Sequence, residues 1–427
     1  MILPEINSGM QALILGYGVS GKAAERLLNS QGVETTVLNN EDEFPQGKNF
    51  DFAITSPGIP LNHKWHLECN LKGIPIASEL SLAAKFWRGH IMAITGSKGK
   101  SSIVKLIADT LNNSGLVATA CGNYGLPFCD VAFESHTTND WAIVEVSSFQ
   151  METTEKEDFH PEFAAAVNLQ EDHIDRHGSV DVYHECKLKL LESANIAFVS
   201  RGCKAVVNGG YLSASQMRGN VKETEEISES FINGTYFGNS ILKMNAECAL
   251  SLMQCVGLSD EEIISGLRNF KPLPHRMCVI GEWNGVKYID DSKATSLAAM
   301  VAAIKMAENG KPIHLIAGGL AKGDDPNFIT KDLSKSVKKV YLIGSCANQF
   351  FEAWKNDVPC KICETLDRAV DEVMRNVCTQ ETVLLSPGTA SFDQFKSYGA
   401  RGDMFASLVR ARVIQSLRAS PKEDEKI

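Results

Sequence analysis

The 427-residue sequence lacks any apolar run long enough to cross a bilayer, so no transmembrane helix is expected. Its first residues, MILPEINSGM, contain neither a basic segment nor a long apolar core, so a secretory signal is not expected either. Positive charge is also scarce, since 42 Lys and Arg against 52 Asp and Glu give a net charge of −10. That balance disfavours nucleic-acid binding by bulk electrostatics. We therefore expect neither a membrane nor a nucleic acid as a partner.

Disulfide and zinc frameworks are missing as well. The 12 cysteines are scattered along the chain, which is typical of reduced thiols in a cytoplasmic protein. Cys360 and Cys363 form one C-x-x-C pair, but no second pair or nearby histidine completes a zinc site. His173 and His177 lie four residues apart without the glutamate of an H-E-x-x-H motif, which excludes a zinc protease.

The most informative stretch that is present is MAITGSKGKSS, from Met92 to Ser102. It predicts a buried strand, a glycine turn and the start of a helix, an arrangement that points backbone N–H groups and the helix dipole at a phosphate. Lys100 would reach the outer phosphates, and the Ser101 hydroxyl would bind Mg²⁺. Ile94 replaces the first glycine of the longer phosphate-loop pattern, which leaves the shorter T-G-x-x-G-K-S form. An ordinary strand-to-helix turn is the alternative.

A second glycine turn, Gly16-Tyr17-Gly18-Val19-Ser20-Gly21, lies between a predicted strand and a predicted helix, and a further strand is predicted at 52–55. In a dinucleotide site an acidic residue follows by roughly twenty positions to hold the ribose. Asn39 stands there instead, which weakens an NAD interpretation. The turn could still hold the diphosphate of another nucleotide.

Polar clusters follow two further predicted strands, at the strand ends where open α/β sheets bind ligands. Glu145 ends the first strand, and Mg²⁺ is its natural partner beside a phosphate loop, with a salt bridge as the alternative. His173 lies in QEDHIDRH after the second and could ligate a metal or position a carboxylate. Lys187, on a predicted helix at 182–194, reads by itself as an ordinary surface lysine. The polar stretch 219–230 predicts a surface loop.

The last third of the chain repeats the strand-helix pattern, with strands predicted at 287–290, 313–317, 340–343 and 382–385 and the clearest helix at 294–308. His275-Arg276 is predicted to begin a strand pair that ends in DDSKAT. Arg276 could clamp phosphates, and Asp291 could bind a ribose hydroxyl. Lys322 and the loop that carries Ser391 suit a small substrate with a carboxylate.

Taken in order, these motifs resemble the Mur ligase family, and the resemblance covers essentially the whole chain. The stretches that carry it are TGSKGKSS, VEVSSFQ, NLQEDHIDRH, LPHRM, DDSKATS and LLSPGTASFDQFKSYGARG. The combination of DHIDRH, SKAT and SFDQF is similar to that of the members that add D-glutamate. The resemblance implies an α/β protein of three domains. These would be a Rossmann-like UDP-binding domain at 1–89, a P-loop-type ATPase domain at 90–272, and a Rossmann-like amino-acid-binding domain at 273–427.

The resemblance also implies an activity, which is ATP-dependent addition of D-glutamate to UDP-N-acetylmuramoyl-L-alanine through an acyl phosphate in cytoplasmic peptidoglycan synthesis. ATP and Mg²⁺ would be required, the partners would be small molecules, and the protein would be a monomer. It implies metal ligation by Ser101, Glu145, His173 and a carbamylated Lys187, which replaces the surface interpretation of that lysine. Lys100, Glu145, His173 and Lys187 would form the catalytic set.

The remaining residues that the resemblance implies fall into three groups. Those at ATP are Gly96, Ser97, Lys98, Gly99, Lys100, Ser101, Ser102, Asn245, Arg276 and Asp291. Those at the UDP substrate are Ser20, Asn39, Ser56, Asn123 and Ser147. Those at D-glutamate are Thr295, Lys322, Ser391 and Phe392.

Other functions stay open at this point. Departures from the family pattern at Asn39, Ser296 and Ala321 leave room for a Mur-type ligase with another amino acid, or for a nucleotide-binding module without catalysis. Lys98 and Cys278 also depart from the usual residues. An NAD-dependent oxidoreductase explains less, because the phosphate loop then has no role.

Overall fold

The computed structural model describes residues 2–40, 42–134, 136–238, 240–308, 310–321, 323 and 325–419. The chain forms two compact units, Met1–Lys271 and Pro272–Ile427. The first unit contains two parallel sheets and a small hairpin, and the second contains a third sheet. Among the residues described, no helix combines the length and apolar character needed to cross a membrane. The α/β class with parallel sheets is therefore confirmed, whereas the division into three domains stays a prediction.

The first sheet has four parallel strands in the order β2-β1-β3-β4. The runs ALIL and FAI are apolar throughout, as expected where helices cover both faces of a parallel sheet. Its elements are β1 (Gln11–Leu15), α1 (Val19–Ser30), β2 (Glu34–Leu38), β3 (Phe52–Thr55), α2 (Lys64–Leu71), β4 (Ile76–Ser78) and α3 (Glu79–Phe86). The order reverses at β1, so the loops after β1 and β3 flank a crevice of the kind that binds ligands.

The second sheet has six parallel strands in the order β12-β9-β8-β5-β7-β6. Its strands are β5 (His90–Thr95), β6 (Ala118–Gly122), β7 (Trp141–Glu145), β8 (Phe163–Ala166), β9 (Ile196–Val199) and β12 (Val221–Glu223), with the separate hairpin β10 (Ala205–Val207) and β11 (Gly210–Leu212). Its helices are α4 (Lys100–Asn113), α5 (Phe128–Phe133), α6 (Ser148–Met151), α7 (Ile174–His177), α8 (Val180–Ser193), α9 (Glu229–Ile232), α10 (Ser240–Val256) and α11 (Asp260–Asn269). Because β5 lies between β7 and β8, the loops after these three strands share one edge.

The third sheet has the order β13-β14-β18-β15-β16-β17, in which only β13 is antiparallel. Its strands are β13 (Cys278–Trp283), β14 (Val286–Asp290), β15 (Ile313–Gly318), β16 (Val337–Ile343), β17 (Cys360–Glu364) and β18 (Thr382–Leu385). Its helices are α12 (Leu297–Ala307), α13 (Thr330–Ser336), α14 (Ala347–Trp354), α15 (Leu366–Asn376) and α16 (Tyr398–Ala419). Separate apolar clusters cover its two faces, as in a doubly wound sheet.

Three local predictions need correction. The stretch 219–230 is not only a loop, because β12 lies within it and pairs with β9 as an edge strand. His275-Arg276 does not begin a strand. The left-handed φ of 60° at His275 and 49° at Met277 keeps the backbone irregular until β13 begins. The helix predicted from residue 294 begins at Leu297, because Ser296 caps it by accepting the N–H of Ala299.

Candidate active site

The glycine turn between β5 and α4, here called the phosphate loop (residues 96–102), has the backbone of an anion site. Gly96 and Gly99 have φ of 145° and 86°, which favour glycine, and Gly99 precedes the first residue of α4. A Cβ at Gly99 would lie 2.7 Å from Nδ2 of Asn245, so this side chain of α10 packs against the loop. The Lys100 ammonium folds back and donates to the carbonyl oxygen of Gly96 at 2.7 Å. The helix N-terminus is thus backed by α10, and backbone N–H groups at such a terminus can bind a phosphate.

Asn168, which sequence reasoning gave no role, holds the loop in shape. Its Oδ1 accepts the N–H groups of Ser97 at 3.0 Å and Lys98 at 2.9 Å. Its Nδ2 donates to the carbonyl of Lys98 at 2.8 Å. The Ser97 hydroxyl donates to the carbonyl of Gln170 at 2.8 Å and accepts the Tyr183 hydroxyl at 3.0 Å. The segment after β8 therefore determines which loop N–H groups point outward.

Glu145, the last residue of β7, is only 2% exposed and is paired in register with Ile94 of β5. Its Oε1 accepts Nδ2 of Asn123 at 2.7 Å. Its Oε2 has no hydrogen-bond partner among the residues described. A buried carboxylate oxygen without a partner is costly, and a cation beside the phosphate loop would satisfy it. The salt-bridge alternative for Glu145 finds no support in the ion pairs of the described chain.

Lys187 lies on the inner face of α8 and is 1% exposed, so the surface interpretation from sequence was wrong. Its Nζ donates to the same Gly96 carbonyl oxygen as Lys100, at 2.9 Å, and lies 4.4 Å from the centre of the Tyr183 ring. Burial, followed by the charge of Lys100, holds the pKa of the Lys187 amine well below its ordinary value. A neutral amine is nucleophilic, so this lysine can react with carbon dioxide.

His173 lies just before α7 with a left-handed φ of 53°. Its side chain is about half-exposed, its ring is 4.8 Å from the Phe149 ring, and its Nδ1 is 3.9 Å from an oxygen of Asp172. In the part of the chain that is described, no three His, Cys, Asp or Glu side chains are gathered as a metal site. A metal at His173 would therefore take its other ligands from phosphate oxygens, water or a carbamylated Lys187, whose oxygens suit Mg²⁺.

The residues predicted at the UDP end lie where the first two sheets end. Ser20 lies in the first turn of α1, Asn39 follows β2, and Ser56 follows β3 and donates from its hydroxyl to the Gly16 carbonyl at 2.8 Å. Asn123 holds Glu145, as described above. Ser147 caps α6 in a reciprocal pair with Gln150. Both side chains have structural partners, which sequence reasoning did not predict.

In the second compact unit, Asp291 follows β14 and is buried. Its Oδ1 accepts the N–H of Met277 at 3.1 Å, and its Oδ2 accepts the Ser386 hydroxyl at 3.0 Å. Burial raises the pKa of Asp291 to about 7, although the bond from Ser386 opposes the shift. Arg276 is half-buried in the irregular segment between the two left-handed residues. Both predicted ATP residues of this unit thus lie at the carboxyl end of β14.

Three of the four residues predicted at D-glutamate are described. Thr295 is half-buried just before α12, Ser391 is buried after β18, and Phe392 is 71% exposed. Lys322 lies outside the described residues. Arg401, which sequence reasoning missed, is 1% exposed and donates to the carbonyls of Ser292, Thr389 and Ala390. It ties the segment after β14 to the one after β18, so it shapes this end of the sheet.

Known domain families match much of this chain. Residues 94–253 match the Mur ligase middle domain, and residues 275–389 match the "Mur ligase, glutamate ligase domain". The UDP-N-acetylmuramoylalanine–D-glutamate ligase of Koribacter versatilis is 32% identical over 94% of this chain and 97% of its own length. The enzyme of the same name from Acidobacterium capsulatum is 31% identical over 94% and 96%. The MurF ligase of Thermotoga maritima, solved in complex with ADP, shares the fold at 13% identity, with a TM-score of 0.57 over 96% of each chain.

Proposed function

The chain belongs to the Mur ligase family, and we propose that it uses ATP to join D-glutamate to UDP-N-acetylmuramoyl-L-alanine in peptidoglycan synthesis. The observation that carries the proposal is the buried Glu145 carboxylate, whose Oε2 lacks a partner among the described residues beside the phosphate loop. A ligase that activates a carboxylate with ATP needs such a metal-binding oxygen. Relatives with this activity match the chain over nearly its whole length, which supports D-glutamate as the amino acid.

The phosphate loop is proposed to bind ATP. Lys100 would leave the Gly96 carbonyl and neutralise the outer phosphates, while the N–H groups at the start of α4 would bind the phosphate oxygens. Ser101 and Glu145 would hold one Mg²⁺. His173 and Lys187 would hold a second, after carbamylation has converted the neutral lysine amine into an oxygen ligand. When bound, Mg²⁺ offsets the negative charge on the transferring phosphoryl group.

The reaction would proceed in two steps. An oxygen of the alanyl carboxylate attacks the γ-phosphorus of ATP, ADP leaves, and an acyl phosphate forms. The amine of D-glutamate then attacks the acyl carbon, the tetrahedral intermediate collapses, the amine loses a proton, and phosphate leaves with the amide bond formed. Fixed cationic groups such as Lys100 stabilise charge that develops during both transfers.

The substrate contacts are proposals of the same kind. Ser20, Asn39 and Ser56 would contact the UDP portion, and the muramoyl-alanine end would lie near Asn123 and Ser147. Asn245, Arg276 and Asp291 would contact ATP. The residues proposed at D-glutamate are Thr295, Lys322, Ser391 and Phe392. Three domains, a monomeric state and a cytoplasmic location complete the proposal, the last resting on the scattered thiols of the sequence.

The experiment measures ADP and phosphate release with Mg-ATP and UDP-N-acetylmuramoyl-L-alanine, with D-glutamate, L-glutamate or no amino acid. Release that depends on D-glutamate, with a product heavier by one glutamyl unit, is expected. Release with a different amino acid from a panel would instead indicate another Mur-type ligase. ATP binding without any turnover would favour a nucleotide-binding module that does not catalyse.

A further inference from the structure

Arg176 lies in the loop region after β8 and contacts two other loops, those after β7 and β3. It lies in α7, three residues after His173. Its guanidinium binds Glu152 in a forked arrangement, with Nε 3.1 Å from Oε1 and Nη2 2.6 Å from Oε2. Glu152 is the C-cap of α6, the helix that follows Glu145. The loops after β7 and β8 are thus joined by one charge-assisted pair.

The same guanidinium also reaches the first sheet. Its Nη2 donates to the carbonyl oxygens of Ile59 at 3.0 Å and Pro57 at 3.3 Å. Both belong to the loop after β3, directly after Ser56, whose hydroxyl in turn contacts the Gly16 carbonyl. Arg176 therefore links the segment that contains His173, the proposed metal ligand, to the loop after β3 at the proposed UDP site.

The pair is shielded from water. The Arg176 and Glu152 side chains are 16% and 7% exposed, and the guanidinium lies 5.0 Å from the centre of the Phe149 ring. His177 Nδ1 is 3.4 Å from Glu152 Oε1, and its Nε2 is 3.0 Å from the Ser148 hydroxyl. A largely buried, forked pair is held more rigidly than an exposed one, which contributes little. The arrangement is thus suited to fixing the loops relative to one another.

We propose that Arg176 is a positioning residue that keeps the UDP-binding loop after β3 in register with the metal-binding segment after β8. The proposal rests on the proposed function, because that function places the sugar nucleotide at one end of this contact and the phosphoryl transfer at the other. Arg176 itself touches no reacting atom in this role. It acts by fixing the distance between the loop after β3, where the UDP portion would bind, and the segment after β8, near which phosphoryl transfer would occur.

The test compares Arg176→Ala and Arg176→Lys with Arg26→Ala. Arg26 is a control for a forked pair between the same two sheets, because it forms a half-exposed pair with Asp130 between α1 and α5, away from these loops. Binding of UDP-N-acetylmuramoyl-L-alanine is measured by calorimetry without ATP, and KM values are measured in the ligase assay. We expect both Arg176 variants to weaken binding of the UDP substrate about tenfold or more, since two charge-assisted bonds to the loop are lost. The KM for ATP should change less than about twofold, and Arg26→Ala should change neither.

Chemical rescue separates positioning from general stability. A cavity of about 430 Å³ adjoins Arg176 and Glu152, so added guanidinium ion can reach the space left by Arg176→Ala. Recovery of UDP-substrate binding with guanidinium, but not with sodium at equal ionic strength, is expected. Unchanged binding in Arg176→Ala, or loss no greater than in Arg26→Ala, would overturn the proposal. Binding of the UDP substrate is measured without ATP or D-glutamate. A protein that binds this substrate but has no ligase activity would therefore contradict the proposed function without contradicting the role of Arg176.

Discussion

Asn168 offers the sharpest test of how the phosphate loop is built. Its side chain makes three hydrogen bonds to the backbone of Ser97 and Lys98, across about seventy residues of chain. The substitution Asn168→Ala removes all three, and Asn168→Asp keeps the two acceptor bonds but removes the donor and adds a negative charge near the phosphates. Both should weaken ATP binding, for different reasons.

The magnitude follows from the bond count. A neutral hydrogen bond contributes about 1 kcal/mol, so the alanine variant loses roughly 3 kcal/mol of loop organisation. If the ATP-bound state loses all of this stabilisation, ATP binding weakens about a hundredfold, since 1.4 kcal/mol corresponds to a factor of ten in affinity. The freed N–H groups of Ser97 and Lys98 can bind phosphate themselves, which lowers the effect toward about tenfold.

Calorimetric titration with a non-hydrolysable ATP analogue measures the effect directly. Asn112→Ala is the matched control, because Asn112 also makes three side-chain bonds to backbone, with Ala108 and Ala118, at the other end of α4. It should cost similar stability without weakening nucleotide binding. If Asn168→Ala binds the analogue within about twofold of the unmodified protein, the loop does not need this side chain and the reasoning fails.

Three further predictions test other parts of the molecule. Lys187→Ala should abolish turnover, and added acetate should restore part of it by supplying a carboxylate; Lys189→Ala, outward on the same helix, should be harmless. Between about pH 4 and 7, Asp291 binds more protons in the folded state than in the unfolded state, so Tm should fall as pH rises. In calorimetry, Asp291→Asn should show a flatter slope of Tm against pH. Glu381→Ala should cost about 1–3 kcal/mol in denaturant unfolding, because it leaves Nε2 of the buried His314 ring without its hydrogen-bond partner, whereas Lys338 is 44% exposed and adds little. Failure of acetate to rescue Lys187→Ala would contradict the first prediction, and a slope of Tm against pH that persists in Asp291→Asn would contradict the second. A loss of unfolding free energy under about 1 kcal/mol in Glu381→Ala would contradict the third.

Much of the fold was predictable because buried parallel strands are apolar throughout. The strands at 52–55 and 382–385 have the predicted bounds, since short β-rich runs between turn residues leave little choice. The edge strand β12 was missed because its sequence, VKE, is short and polar, and an edge strand is covered on fewer sides. Its pairing depends on β9, more than twenty residues earlier, which local pattern does not encode.

The residues of the candidate site also divide into those that the sequence predicts and those that it does not. The glycines, Lys100 and Ser101 of the phosphate loop are recognisable because their spacing is local. The contacts of Asn168, Arg176 and Arg401 are not, because each joins segments that only the folded sheets bring together. A polar side chain that satisfies distant backbone groups has no signature in its own neighbourhood.

The spacing of residues around Lys187 predicts its burial, although the residue type alone suggests a surface position. Tyr183, Lys187 and Leu191 recur at four-residue intervals, which places them on one face of α8, and all three are buried. A lysine on the apolar stripe of an amphipathic helix must lose its charge or find a partner, because an isolated buried ammonium is too costly. Among the described residues its one hydrogen bond is to a carbonyl oxygen that Lys100 also uses, and the charges of Asp172 and Glu145 do not offset its burial. The neutral form is therefore favoured, and it is the form that can be converted into a metal ligand.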